Sequence, residues 1–122
     1  LHPINNRYLK TFSDLGISGA FIKALEEINI NIPTEIQEKA IPVLITKETD
    51  FIGQAQTGTG KTAAYGLPIL HAINADKPYV QALILSPTRE LGQQIAKQLF
   101  KFTKYIPQKI FIESVYGGAH ID

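Results

Sequence analysis

Residues 53–62 read Gly53-Gln54-Ala55-Gln56-Thr57-Gly58-Thr59-Gly60-Lys61-Thr62. A short apolar run, Phe51-Ile52, precedes them, and residues 63–72 follow with a helical pattern. A strand, a glycine-rich loop and a helix in that order make a phosphate-binding loop. Gly58 and Gly60 let the backbone turn tightly with its N–H groups inward, and the following helix adds the positive end of its dipole. Lys61 can reach the outer phosphates, and the Thr62 hydroxyl can ligate Mg²⁺. The usual pattern opens on Gly where Ala55 stands, but the spacing and the Gly-Lys-Thr ending are intact.

On either side of this loop the chain alternates apolar strand-length runs with helical patterns. Residues 1–11 are a polar lead-in, expected to be flexible. Phe12 and Leu15 begin an apolar pattern, and Ser18 can cap a helix over 19–28 with Phe21, Ala24, Leu25 and Ile28 on one face. Pro33 forbids its continuation. Thr34-Glu35-Ile36-Gln37 is a capping-box pattern, so Gln37 can serve simply to cap its own helix, which Pro42 is expected to break or kink. Pro68 predicts a kink in the helix behind the phosphate loop. Residues 80–86 are mostly apolar and suit a strand covered on both faces. Pro87-Thr88-Arg89-Glu90-Leu91 follows, with Thr88 as N-cap of a helix reaching about residue 105. Between Leu91 and Ile112 lie Lys97, Lys101, Lys104 and Lys109 and no acidic residue, a local basic patch or a solvated helix face. Residues 109–116 read as a third strand closed by Gly117-Gly118.

Three strands with helices between them predict an α/β fold, a parallel sheet with helices on both faces. Ligands of such sheets lie beyond the carboxyl ends of the strands. The phosphate loop, Pro87-Thr88-Arg89 and Gly117-Gly118 all follow strand ends, so they are expected along one edge.

Composition narrows the classes. The chain has 122 residues, 44% of them hydrophobic, enough for one globular core. Twelve basic against 11 acidic residues leave a net charge of +1, so any case for nucleic acid must be local. There is no Cys, hence no disulfide-linked partner and no thiolate metal site. His2, His71 and His120 make no ligand pattern. No apolar run approaches the ~18 residues of a membrane span.

Taken together, these segments resemble the amino-terminal part of DEAD-box RNA helicases. Phe12, Pro33-Thr34-Glu35-Ile36-Gln37, Ala55 to Thr62, Pro87 to Leu91 and Tyr116-Gly117-Gly118 occur in the family's order over nearly the whole chain. The resemblance implies a P-loop NTPase fold of the RecA-like type, with residues 12–122 as the first portion of helicase domain 1. It implies that Gln37 reads adenine; a glutamine amide offers the matching donor and acceptor. Phe12, Ile30 and Thr34 would complete that pocket. The family often has Gly at the position of Asn29 and a stacking aromatic at that of Ile30, which offers only apolar contact. Ala55, Gln56, Thr57, Gly58, Thr59 and Gly60 would cradle phosphates, Lys61 would hold the outer ones, and Thr62 would hold Mg²⁺. Pro87, Thr88, Arg89, Gly117 and Gly118 would line an RNA path through backbone contacts with little sequence preference. ATP and Mg²⁺ are the implied cofactors, RNA the implied partner, and the cytoplasm the implied location.

No Asp-Glu-Ala-Asp occurs in the sequence, nor the Ser-Ala-Thr motif. The expectation is therefore a part of a longer ATP-dependent RNA helicase, one that binds nucleotide but neither hydrolyses ATP nor unwinds RNA alone, in a sheet that is incomplete. Two other readings stay open. One is a non-catalytic RNA- or protein-binding module on a P-loop scaffold. The other is a different P-loop enzyme, a small-molecule kinase or GTPase.

Overall fold

The computed structural model describes residues 10–58 and 60–117. Four helices form in chain order: α1 (Gly19–Glu27), α2 (Glu35–Thr46), α3 (Lys61–Ala72) and α4 (Arg89–Phe102). Helix α3 packs against both α2 and α4, and α1 packs on α4. The turn over residues 12–16 docks beneath them. Phe12, Leu15, Ile17, Phe21, Leu25, Ile41, Ala63, Leu67, Leu70, Ile95, Leu99 and Phe102 form one buried cluster. Phe12, Leu15 and Ile17 precede α1, and the others are helix residues that the 3.6-residue spacing places on inward faces.

Local chemistry sets most helix ends. Thr34 and Gln37 form a full capping box at the start of α2, and the Thr88 hydroxyl accepts from the Leu91 N–H at 3.1 Å at the start of α4. Ser18 occupies the N-cap of α1, but its side chain makes no capping hydrogen bond. Pro42 and Pro68 lie inside α2 and α3, and neither ends its helix. Burial of the flanking Ile41 and Leu67, both 0% exposed, offsets the helical bond that each proline removes.

Helix α1 ends in a Schellman motif. The Asn29 N–H donates to the Glu26 carbonyl at 3.0 Å and the Ile30 N–H to the Leu25 carbonyl at 2.9 Å. Asn29 takes the left-handed conformation this requires, with φ 61°. Asparagine tolerates that region better than other side-chain-bearing residues, which explains why it serves where glycine is common. Far from this point in sequence, Glu27 accepts hydrogen bonds from the Tyr105 hydroxyl and from Lys104 Nζ at 2.9 Å, while Lys23 Nζ lies 4.4 Å from the Tyr105 ring centre. The Tyr105 and Lys104 donors hold the Glu27 carboxyl below its ordinary pKa. That contribution is complete above the unfolded carboxylate value and is lost as pH falls through the lower folded one.

The expected parallel sheet is where the structure departs from the sequence reading. Among the described residues no strand forms, and no backbone hydrogen bonds join residues 51–54, 79–85 and 109–115 to one another. A strand exists only through its ladder, and these segments have no ladder partner in the described chain. Around residues 83–85 and 110–112 burial nevertheless alternates with the strand period of two. Ile84, Ile110 and Ile112 pack on the helical core, whereas Leu83 and Leu85 are 79% and 85% exposed and Phe111 is 78% exposed. The run over 80–86 is therefore covered on one face, not two.

Two outcomes follow. In urea unfolding, Asn29→Gly should leave stability within about 0.5 kcal/mol, while Asn29→Val should cost about 1–2 kcal/mol by forcing a β-branched residue to positive φ. The uncovered apolar face should bind a hydrophobic dye strongly under native conditions, and Leu83→Ser combined with Phe111→Ser should cut that fluorescence without lowering helix content by circular dichroism.

Candidate functional site

The phosphate-loop segment ends at Gly60, the N-cap of α3. Gly58 and Gly60 both have positive φ, 83° and 81°, so the Gly-x-Gly spacing is used as the motif requires. Gly60 has no side chain to cap the helix, and the first turn of α3 carries no acidic residue. The positive end of α3 is thus not answered by an acid within its own first turn. Lys61 is exposed at the start of α3, and Thr62 beside it is half-buried. Nothing lies within 4 Å of the point where a Cβ on Gly58 would stand, so the loop has open space there. Ala55 is half-buried, and Gln56, Thr57 and Gly58 are exposed. Thr59 lies outside the described residues.

Gln37 is the most deeply buried polar residue among those described, 1% exposed. Its Oε1 accepts from the Thr34 N–H at 2.9 Å, and the Thr34 Oγ1 accepts from the Gln37 N–H at 3.4 Å. Its Nε2 then donates to the Gly60 carbonyl at 3.0 Å, 23 residues further along the chain. The same carbonyl accepts the Ala64 N–H at 3.2 Å. One amide therefore fastens the start of α2 to the start of α3. The contact leaves no room for a side chain on Gly60: a Cβ there would stand 2.2 Å from Gln37 Nε2. The capping role read from the sequence is present. The bridge to Gly60 was not legible, because no local spacing relates positions 37 and 60.

The other two expected pocket members sit differently. Phe12 is 2% exposed within the core cluster. Ile30 is half-buried against that core and lines a shallow recess with Ile28, Gln94, Lys97, Gln98 and Lys101.

The structure also joins the second set of predicted residues. Arg89, the first residue of α4, donates from Nη2 to the Gly117 carbonyl at 2.7 Å and lies 4.9 Å from the Tyr116 ring centre. No ion pair within α4 claims Arg89 among the described residues. Arg89 and Gly117 are thus brought together across 28 residues. Tyr116, which the sequence reading gave no role of its own, forms the platform under the guanidinium. Pro87 and Thr88 are exposed beside them, and the Ser86 hydroxyl donates to the Thr88 carbonyl at 3.1 Å. Gly118 lies outside the described residues. The arrangement is an exposed guanidinium, an exposed helix start and an open glycine at one place, which suits contact with a phosphodiester backbone.

The family model "DEAD/DEAH box helicase" matches residues 34–122. The chain is 46% identical over 110 residues to the ATP-dependent RNA helicase CshA of Limosilactobacillus reuteri, covering 90% of this chain and 22% of that protein. Its structure is similar to that of a DEAD box protein from the hyperthermophile Methanococcus jannaschii, with TM-score 0.83 and 33% identity over 93% of this chain and 30% of that one. It is also similar to Saccharomyces cerevisiae Dbp5 bound to RNA and ADP BeF3, with TM-score 0.75 and 30% identity over 92% of this chain and 30% of that one.

Deleting the bridge has a defined expectation. Gln37→Ala leaves the Thr34 N–H without its partner and should cost about 1–3 kcal/mol in urea unfolding. Gly60→Ala should also destabilise, by strain at positive φ and by collision with Gln37. In the double variant the collision partner is gone, so the combined loss should be smaller than the sum of the single losses.

Proposed function

The chain belongs to the DEAD/DEAH box helicase family, and from that premise we propose that it is the nucleotide-binding, RNA-contacting first part of an ATP-dependent RNA helicase. It spans 22% of the length of the CshA relative, so the activity is assigned to the whole protein. The observation that carries this reading is the Gln37 amide fixed to the Gly60 carbonyl, which makes the capping-box segment and the phosphate loop one hydrogen-bonded unit.

On this reading residues 12–122 are the opening portion of helicase domain 1. The segments over 51–54, 79–85 and 109–115 become strands of a parallel sheet in the RecA-like arrangement. The period-two burial around residues 83–85 and 110–112 and the likeness to solved DEAD-box proteins support that role. ATP lies with its phosphates over the loop from Ala55 through Gln56, Thr57, Gly58, Thr59 and Gly60, where the glycine conformations and the free space at Gly58 fit an anion cradle. Lys61 neutralises the outer phosphates, and Thr62 is the residue that would hold Mg²⁺. The metal, when bound, would neutralise charge on the transferring phosphoryl group. Gln37 has a second Nε2 hydrogen and a second Oε1 lone pair for adenine, both enclosed at 1% exposure. Base reading therefore goes with a local opening of the loop around Gly60. Phe12 supports the pocket from the core, Thr34 holds the Gln37 amide in plane, and Ile30 adds apolar contact. Pro87, Thr88, Arg89, Gly117 and Gly118 bind RNA backbone, and the protein works in the cytoplasm. The chain alone, lacking Asp-Glu-Ala-Asp, binds nucleotide without hydrolysing it.

Titration with a fluorescent ADP analogue tests this reading. Unlabelled ADP should displace the analogue and GDP should not. Lys61→Ala, at an exposed position that leaves the fold intact, should weaken binding at least about tenfold, roughly 1.4 kcal/mol. Gln37→Ala should abolish the preference for adenine. Equal competition by GDP would instead favour a different P-loop enzyme. Binding unaffected by Lys61→Ala would leave the loop as a scaffold.

A further inference from the structure

The outward face of α4 carries a feature that neither the nucleotide loop nor the Arg89 cluster uses. Phe100 is 63% exposed there. Ala96, one turn earlier, leaves a shallow recess beside its ring, and Lys97 and Lys101 form the rest of the lining. The same two lysines border a second recess, floored by Ile28 and Ile30 and edged by Gln94 and Gln98. Lys97 and Lys101 are thus a cationic ridge between two partly apolar hollows.

A single exposed phenylalanine is ordinary. The charges around this one are not answered. Lys104 is paired with Glu27, and Lys109 lies 5.4 Å from the Phe111 ring centre. Lys97 and Lys101 have no ion-pair partner among the described residues, and no acidic residue occurs between Leu91 and Ile112. A surface of this kind is complementary to carboxylates flanking apolar side chains.

Nucleic acid is the other polyanion that lysines and an aromatic ring can hold. Position argues against it. Phe100 lies 11 residues along α4 from Arg89, about 16 Å of helical rise at 1.5 Å per residue. It is therefore on the part of α4 remote from the Arg89–Gly117 cluster proposed for RNA. We infer that the Ala96–Lys97–Phe100–Lys101 face of α4 is a docking site for an acidic peptide segment of a partner protein. The peptide's carboxylates sit on Lys97 and Lys101, and its apolar side chains enter the hollows beside Phe100 and Ile28. Ile30, in the floor of the second hollow, is shared with the adenine pocket proposed above, whereas the Ala96–Lys97–Phe100–Lys101 face belongs to neither the nucleotide nor the RNA surface and does not rest on their assignment.

The test is fluorescence anisotropy of the protein with a labelled short peptide carrying leucine and phenylalanine four positions apart among glutamates and aspartates. Controls are the same peptide with its acids replaced by amides and a uridine oligoribonucleotide of similar length. The acidic peptide should bind at least about tenfold tighter than its amide counterpart, with affinity falling as salt rises. Phe100→Ser should weaken it about tenfold, as should Lys97→Glu combined with Lys101→Glu, while helix content by circular dichroism and ADP-analogue binding stay unchanged. Lys47→Glu, an exposed site elsewhere, should have no effect. Equal binding of both peptides, insensitivity to Phe100→Ser, or a preference for the oligoribonucleotide that is lost with the two lysines would overturn the proposal.

Discussion

The Gly60 carbonyl accepts two hydrogen bonds, one from the Ala64 N–H inside α3 and one from the Gln37 side chain. The first builds a helix, and the second decides where that helix sits. Because Gln37 is held at its other end by Thr34, the start of α2 and the start of α3 cannot slide past one another without stranding buried polar groups. The stranded groups would cost more than the bond itself contributes, since desolvation is paid in full while the gain is net of water. The glycine-rich loop ending at Gly60 inherits its position from this contact. Its glycine at position 60 is doubly required, once by φ and once by the amide packed against it.

The same logic of shared groups organises α4. Its N-cap comes from Thr88, its first side chain reaches Gly117, and its inward face delivers Ile95, Leu99 and Phe102 to the core. Gly66 on α3 permits the close approach. A Cβ there would meet Leu99 at 2.5 Å, so the two helices meet at a spacing that a larger residue would widen. Buried packing on one side of α4 and solvated lysines on the other are what its apolar spacing specified.

What could be read from the sequence divides along a physical line. Helices α1 to α4 were legible because caps and apolar periodicity act within a few residues. Thr34, Thr88 and the glycines at 58 and 60 each declare themselves locally. The glycine-like geometry at Asn29 was hinted by the family pattern and explained only by its φ. The sheet was not delivered, because ladder pairing is a property of neighbours and not of a segment; the apolar runs at 80–86 and 109–116 specify which faces turn inward and no more. The Gln37–Gly60 and Arg89–Gly117 contacts join distant positions, and single-sequence spacing carries no signal for such pairs. The roles of the predicted site residues remain with the family reading, while their grouping into two clusters comes from the fold.

The contact of Glu27 with Lys104 and Tyr105 closes loops of 77 and 78 residues. Loop closure costs rise only logarithmically, about 0.6 kcal/mol for each doubling, but the reward here is a solvent-exposed ion pair and a phenol. The α2–α3 contact, by contrast, joins neighbouring elements and buries apolar surface as it forms. Short sequence separation therefore favours early closure of the α2–α3 contact over the Glu27 clasp. The exposed clasp is a point where fraying can start without disturbing the core, whereas α1 itself is tied through Phe21 and Leu25 to the same buried cluster as α3.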